Sequence, residues 1–251
     1  GNLTEEGGIG EVINAEGATI QGGLLTGLSV ANSHVGSIAN HGSISGAAFG
    51  IEIDRSIVGA FLNTGTISSQ GTGLRVSGDA PEIVNSGTIE GVTAIQFSAH
   101  RAGSGRVRNS GTIRSTADGG TAIDFDHVDD EESEQFDRDD FLILLSGSQI
   151  LGALRFGRGN DTLDLSGFSG SAILTYYDLE QIIWGDRIAV PVPYTGSYDF
   201  PSAGEQQGPP PPIEPEDEQP PPDTSPGGED PPPPSPDPEP EDEQPPPNTG
   251  P

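Results

Sequence analysis

The residues best placed to do chemistry are two carboxylates, Asp124 and Asp126. They are spaced i, i+2, so on a strand both project from one side, opposite the apolar residues between and beside them. Glycan-cleaving enzymes use such paired carboxylates for acid–base work. His127 and Arg101 could lie nearby. This pattern predicts, as an alternative function, a polysaccharide lyase or hydrolase.

A second kind of chemistry is metal binding by acidic residues. Residues 127–140 are rich in Asp and Glu, and a hard cation such as Ca²⁺ prefers carboxylate oxygens. Asp129, Asp130 and Glu131 are candidate Ca²⁺ ligands, although the EF-hand glycine is missing. The simpler interpretation of 127–140 is a solvated loop. We therefore expect no cofactor, with Ca²⁺ as the alternative.

Asp161 is a further Ca²⁺ candidate. It belongs to Gly157–Leu165, which fits the Gly-x-Gly-x-Asp-x-Leu core of Ca²⁺-binding nonapeptide rolls. The phrase occurs once, whereas such a site needs ligands from successive turns.

Composition narrows the possible functions. The chain has 39 acidic residues, ten Arg, no Lys and a formal net charge of −29, which excludes a basic patch for nucleic acid or an anionic membrane. It has no Cys, so disulfides and thiolate metal sites are excluded. It also lacks a Gly-x-Ser-x-Gly elbow and a His-Glu-x-x-His motif. These observations favour a protein that is not an enzyme.

The elements that must position these residues are set by a repeated phrase, Asn-x-Gly-x-Ile. Its regular copies begin at Asn40, Asn63, Asn85 and Asn109, and a looser copy begins at Asn14. A period in the low twenties is typical of a solenoid. We interpret the four regular asparagines as structural corner residues that can stack as a hydrogen-bonded ladder. The glycine of each phrase is expected to allow a positive φ at the corner.

Between these phrases lies a strand with strict alternation of apolar and polar residues. A half-buried strand has this period of two. Its apolar pairs are Leu28/Val30, Ile51/Ile53, Leu74/Val76, Ile95/Phe97 and Ile123/Phe125. The frequent glycines exclude helices. The sequence therefore predicts an all-β fold, a right-handed parallel β-helix of six or seven rungs with a capped C-terminal end.

The chain divides into a β-helix domain, residues 1–190, and a linker, residues 191–251. Within the first, regular rungs are expected at about 10–126, the acidic loop at 127–140, and C-terminal rungs with an aromatic-rich cap at 141–190. Of the 24 prolines in the chain, 20 lie from residue 209 onward, and the linker has almost no large apolar residue. This composition predicts a disordered acidic spacer.

The Asn-Ser-Gly-Thr-Ile rungs resemble those of autotransporter passenger domains, which type V secretion exports in Gram-negative bacteria. The phrase Gly157–Leu165, followed by the Glu-x-Ile core at Glu180–Ile182, is similar to the final part of such passengers. A Pro-rich spacer before a membrane barrel also occurs in the family. The resemblance implies a location outside the cell, tethered to the outer membrane, with a C-terminal membrane barrel expected downstream.

The function favoured by the sequence is that of a surface-displayed or secreted passenger acting as a stalk, an adhesin or a self-association module. Outward polar side chains such as Glu52, Arg75, Gln96 and Arg114 would be available to a partner. The expected partners are cell-surface molecules, glycans or copies of the chain itself, and not nucleic acid. A Ca²⁺-stabilised secreted repeat protein is a further alternative to the enzyme.

Overall fold

The protein folds as a parallel β-solenoid of about seven turns, which confirms the predicted fold class. The structure is a computed structural model that describes residues 8–79, 82–98, 104–127, 137–169, 172–185, 187–189 and 196–200. The described residues contain no helix, and so no helix with the length and apolar character to span a membrane. Each turn, called a rung below, has up to three short strands joined by tight corners.

The strands stack on three faces. Face 1 contains the strand that leads into each asparagine: β1 (Ile9–Asn14), β4 (His34–Asn40), the second half of β6 (Phe49–Asn63), β9 (Ile83–Asn85), β12 (Arg106–Asn109), β15 (Phe141–Leu145), β18 (Thr162–Gly167) and β20 (Gln181–Trp184). Face 2 follows the asparagine corner: β2 (Thr19–Gln21), β5 (Ser43–Gly46), β7 (Thr66–Ser69), β10 (Thr88–Gly91), β13 (Thr112–Ser115) and β16 (Gln149–Leu151).

Face 3 contains the strands with strict alternation. They are β3 (Thr26–Ala31), the first half of β6, β8 (Thr72–Asp79), β11 (Thr93–Ser98), β14 (Thr121–His127), β17 (Ala153–Arg155) and β19 (Ala172–Tyr177). Strand β6 turns from face 3 onto face 1 at Arg55, which has a φ of 45°. Hydrogen bonding through β6 thus joins faces 1 and 3 into one 16-stranded sheet, while face 2 is a separate six-stranded sheet.

The core is built from columns of equivalent residues in register. On face 2, Ile44, Ile67, Ile89 and Ile113 stack directly on one another, and each is 1% exposed or less. On face 3, Phe97, Phe125 and Phe156 stack with ring centroids 5.3 Å apart at each step. Identical apolar residues recur because each inward position of a rung meets the same position of the next rung.

The expected role of the phrase glycines is wrong in the four regular copies. Gly42, Gly65, Gly87 and Gly111 are not among the residues with positive φ. A Cβ on Gly65 would instead lie 2.0 Å from the carbonyl oxygen of Gly42 in the preceding rung. Glycine is required there because the corners stack too closely for any side chain. Only Gly17, in the looser copy, has the expected positive φ, at 75°.

Two antiparallel strands close the C-terminal end of the solenoid. Strand β21 (Arg187–Ala189) pairs with β20 on face 1, and β22 (Gly196–Phe200) pairs with β19 on face 3. All the other pairings are parallel among the described strands. Pairing with an antiparallel strand covers the sheet edge that would otherwise be open. The residues after Phe200 lie outside the described part, so the predicted disordered tail remains a prediction.

Candidate functional site

The phrase asparagines form a buried ladder along the corner between faces 1 and 2. The Nδ2 of Asn40 donates to Oδ1 of Asn63 at 2.7 Å, and the same bond links Asn14 to Asn40, Asn63 to Asn85 and Asn85 to Asn109. Each of these side chains is 4% exposed or less. Every amide also donates to backbone carbonyls, as Asn63 does to Thr88. The ladder therefore satisfies buried backbone groups at the corner and presents no group to a ligand.

The outward side of face 3 carries a continuous line of polar side chains, called the outward line below. Its members pair in register from rung to rung: Ser29, Glu52, Arg75, Gln96, Asp124, Arg155 and Tyr177. Within it, Arg75 lies 3.6 Å from the carboxylate of Glu52 and 5.3 Å above the Phe49 ring. Arg155 lies 5.5 Å above the ring of Tyr177. The line therefore combines acidic, basic and neutral side chains on one face of the solenoid.

The four outward residues named from sequence differ in their surroundings. Glu52, Arg75 and Gln96 all lie in the outward line; Glu52 and Arg75 pair with each other, and Gln96 is only 9% exposed. Arg114 lies on face 2, where its guanidinium pairs with Glu90 of the preceding rung. Glu52, Arg75 and Arg114 therefore link neighbouring rungs while facing outward.

A groove of about 310 Å³ lies at the corner between faces 2 and 3 in the first three rungs. Its lining includes the neutral side chains of Gln21, Ser45, Ser68 and Gln70, with several small residues. The groove offers hydrogen bonds but no carboxylate, histidine or basic group.

Asp124 and Asp126 have different surroundings despite sharing one strand. Asp124 lies in the outward line and pairs in register with Arg155. The carboxylate of Asp126 is 8% exposed and lies 3.7 Å from the guanidinium of Arg138. Burial raises the pKa of Asp126, against the attraction of Arg138. Arg101 and the side chain of His127 lie outside the described residues, so the predicted constellation is represented only by the two aspartates.

Asp126 belongs to a cluster of buried and partly buried charged side chains, which we call the acid corner: Asp126, Arg138, Asp140, Asp161 and Glu180. Asp140 is 1% exposed, Asp161 is fully buried and Arg138 is 5% exposed. The interpretation of residues 127–140 as a solvated loop therefore does not hold for Arg138 and Asp140. The Arg138 guanidinium donates to the backbone carbonyl of Phe125.

The carboxylates of the acid corner cap backbone amides across rungs. Asp140 Oδ1 accepts from the N–H of Gly105 at 2.5 Å, Asp161 Oδ1 from the N–H of Asp140 at 2.7 Å, and Glu180 Oε2 from the N–H of Asp161 at 2.8 Å. Each contact occupies the position just before a face 1 strand. In an earlier rung, Ser56 Oγ makes the equivalent contact with the N–H of Ser33 at 3.0 Å. The carboxylates thus replace a hydroxyl in a repeated corner contact.

Burial also changes the ionisation of these carboxyls. It raises the pKa of Asp140 to about 8, although Arg138 and the Gly105 amide favour the charged form. It raises the pKa of Asp161 to about 7, assisted by the negative charges of Glu180 and Asp139. Desolvation disfavours a buried carboxylate unless a full positive charge compensates it. The acid corner therefore holds protons at pH values where exposed carboxylates have lost them.

Of the predicted Ca²⁺ ligands, only Asp161 lies among the described residues. Asp129, Asp130 and Glu131 lie outside the described residues, while Asp161 Oδ1 accepts the Asp140 amide. In the described part of the chain, no group of three or more carboxylate or histidine side chains is arranged to hold one metal ion.

The acid corner escaped sequence reasoning because its residues are far apart in the chain and resemble a solvated charge run. A signal was present: Asp140, Asp161 and Glu180 are spaced by 21 and 19 residues, close to the rung period. No family model, curated protein or solved structure matches this chain.

Proposed function

We propose that this chain is a non-catalytic solenoid displayed outside a bacterial cell, where it acts as an adhesive or self-associating stalk. The outward line of face 3 is the observation that carries this proposal. It consists of seven in-register positions, including Glu52, Arg75 and Arg155, on one face of the solenoid. Small-molecule sites are concave and largely apolar, whereas flat stacked faces of repeat proteins suit extended partners such as glycans, surface proteins or another copy.

The resemblance to autotransporter passengers supports display by type V secretion. The two motif segments behind it, Gly157–Leu165 and Glu180–Ile182, lie in adjacent rungs, where Leu163 pairs in register with Ile182. Glu180 also accepts the backbone N–H of Asp161. The residues of the two motifs thus contact one another in adjacent rungs near the C-terminal end. This is expected if the two motifs form the final rungs of a passenger domain.

The surroundings of Asp126 weigh against the polysaccharide-cleaving alternative. A general acid or base must reach the bond that is cleaved. The Asp126 carboxylate is 8% exposed and lies beside the Arg138 guanidinium. Its partner Asp124 lies on the outward line, where it pairs in register with Arg155.

The test is to display the whole chain on a bacterium that does not clump by itself. Clumping, and retention on glycan-coated and abiotic surfaces, are measured against cells with the display carrier alone. Cells displaying Gly65→Val, which cannot stack its corner on Gly42, are the folding control. We expect clumping or retention with the native chain and neither with the control. Equal behaviour of native and carrier-only cells would reject the proposal.

A further inference from the structure

The acid corner contains more buried carboxyls than buried positive charge. Among the described residues, the one buried guanidinium is that of Arg138, which lies 3.7 Å from the Asp126 carboxylate and attracts the carboxylates of Asp140 and Asp161; all four side chains are nearly inaccessible to solvent. Oδ2 of Asp140 and Oδ2 of Asp161 are buried with no hydrogen-bond partner among the described residues. An ionised carboxylate is costly in such surroundings unless it is paired. One guanidinium cannot compensate three such charges.

The same carboxyls connect the C-terminal rungs. Asp140 reaches back to Gly105 before β12, Asp161 to the amide before β15, and Glu180 to the amide before β18. These contacts bridge four successive rungs at one corner. The charge state of these carboxyls therefore affects the stability of the C-terminal rungs, which end in the two antiparallel strands.

We propose that the acid corner is a proton-controlled latch, which holds the C-terminal rungs together when its buried carboxyls keep their protons and loosens them when the protons are lost. The ionisation of the latch carboxyls is changed by charged groups on the neighbouring elements. The guanidinium groups of Arg138 and Arg158 favour the charged carboxylates. The acidic groups that oppose ionisation are Asp124, Asp126, Asp139, Asp161, Asp178 and Glu180.

The direction of the pH effect follows from proton binding. In the folded chain the pKa of Asp140 is about 8 and that of Asp161 about 7, against 3.8 for a free aspartate. The folded state thus binds more protons than the unfolded state between these values. Raising the pH through this range favours unfolding. The stabilisation is complete below about pH 4 by the same reasoning and is lost progressively up to about pH 8.

The first test is urea unfolding of the whole chain between pH 5 and pH 8.5, followed by the fluorescence of Trp184, the sole tryptophan, which packs against the core in β20. Most exposed carboxylates are already ionised above pH 5, so their titration contributes little in this window. We expect the native midpoint to fall as the pH rises. The double variant Asp140→Asn, Asp161→Asn retains the accepting oxygens without a titratable proton, and its midpoint should fall less than half as much.

Asp118→Asn is the matched control. Asp118 is exposed and is not among the charged groups that act on the buried carboxyls of the acid corner. The urea midpoint of this control variant should change with pH as that of the native chain does, including any contribution from the histidines. If the Asp140/Asp161 variant lost stability with pH as steeply as the native chain, the latch would be disproved.

Hydrogen exchange of the native chain provides a second test that needs no variant. After correction for the intrinsic pH dependence of exchange, protection in β15, β18 and β20 should fall between pH 5 and pH 8.5. Protection in β5 and β7, which lie far along the solenoid from the acid corner, should change little. A uniform loss of protection along all rungs would overturn the proposal.

Discussion

Each asparagine in the middle of the buried ladder has a donor and an acceptor task at once. Asn63 accepts from Asn40 and donates to Asn85, and its amide also reaches the backbone carbonyls of Gly65 and Thr88. No other residue type supplies this geometry with a side chain as short. This explains why the residue recurs at a corner where the apolar core would otherwise tolerate any small side chain.

Replacing Asn63 with Leu should therefore destabilise the fold strongly. The change removes the partner of one N–H of the Asn40 amide, of the Asn85 side-chain oxygen and of the Thr88 carbonyl in the interior. Each unsatisfied buried group costs about 1–3 kcal/mol. We expect a loss of about 3 kcal/mol or more in the free energy of unfolding, measured with urea. Ser86→Ala, at an exposed corner position, should remain within about 0.5 kcal/mol of the native value.

Gly65→Ala tests the corrected role of the phrase glycines. The added methyl would meet the Gly42 carbonyl oxygen at 2.0 Å, and because that oxygen is part of the backbone it cannot move aside cheaply. Strain of this kind in a packed interior costs about 1–3 kcal/mol or more. Gly10→Ala is the control, since a Cβ there has no neighbour within 4 Å. If Gly65→Ala matched Gly10→Ala in thermal unfolding, the close-stacking explanation would fail.

The strands themselves were largely predictable because their pattern is local. Alternation around Ile95 and Phe97, and the recurrence of Ile67 four residues after Asn63, assigned strands that the structure places on faces 3 and 2. The reason for glycine in the phrase could not be predicted from one copy, because it is the close contact with the corner of the neighbouring rung. The acid corner was missed for the same reason: Asp140 and Asp161 meet only when rungs are stacked.

At the scale of elements, the phenylalanine column joins the rungs on either side of the acidic segment. Phe125 of β14 stacks between Phe97 of β11 and Phe156, which follows β17. It is fully buried. The column therefore continues the core across the point where the sequence repeat is interrupted.

Truncation of Phe125 should uncouple these rungs. Phe125→Ala removes both ring contacts and leaves a cavity, which costs about 3–5 kcal/mol for a buried phenylalanine. Phe125→Leu retains much of the volume and should cost clearly less. Urea unfolding of both variants checks this order. Equal losses for the two would contradict the cavity explanation, because the retained volume of leucine would then have no effect.

In the solenoid as a whole, inward and outward residues have different roles. The inward columns and the asparagine ladder specify the solenoid, while the outward line presents side chains such as Arg75 and Arg155 that also brace adjacent rungs. A partner of the outward line would thus meet an ordered surface and would pay little entropy for fixing it.

The most direct measurement is adhesion or clumping of cells displaying two charge-reversed variants. Arg75→Glu with Arg155→Glu changes the outward line, and Arg106→Glu with Arg114→Glu changes faces 1 and 2. Both lower the net charge equally, and each removes at least one ion pair and at least one contact of an arginine with an aromatic ring. We predict that the outward-line variant loses adhesion while the other retains it. Equal adhesion by both variants, or loss only in the second, would contradict the account.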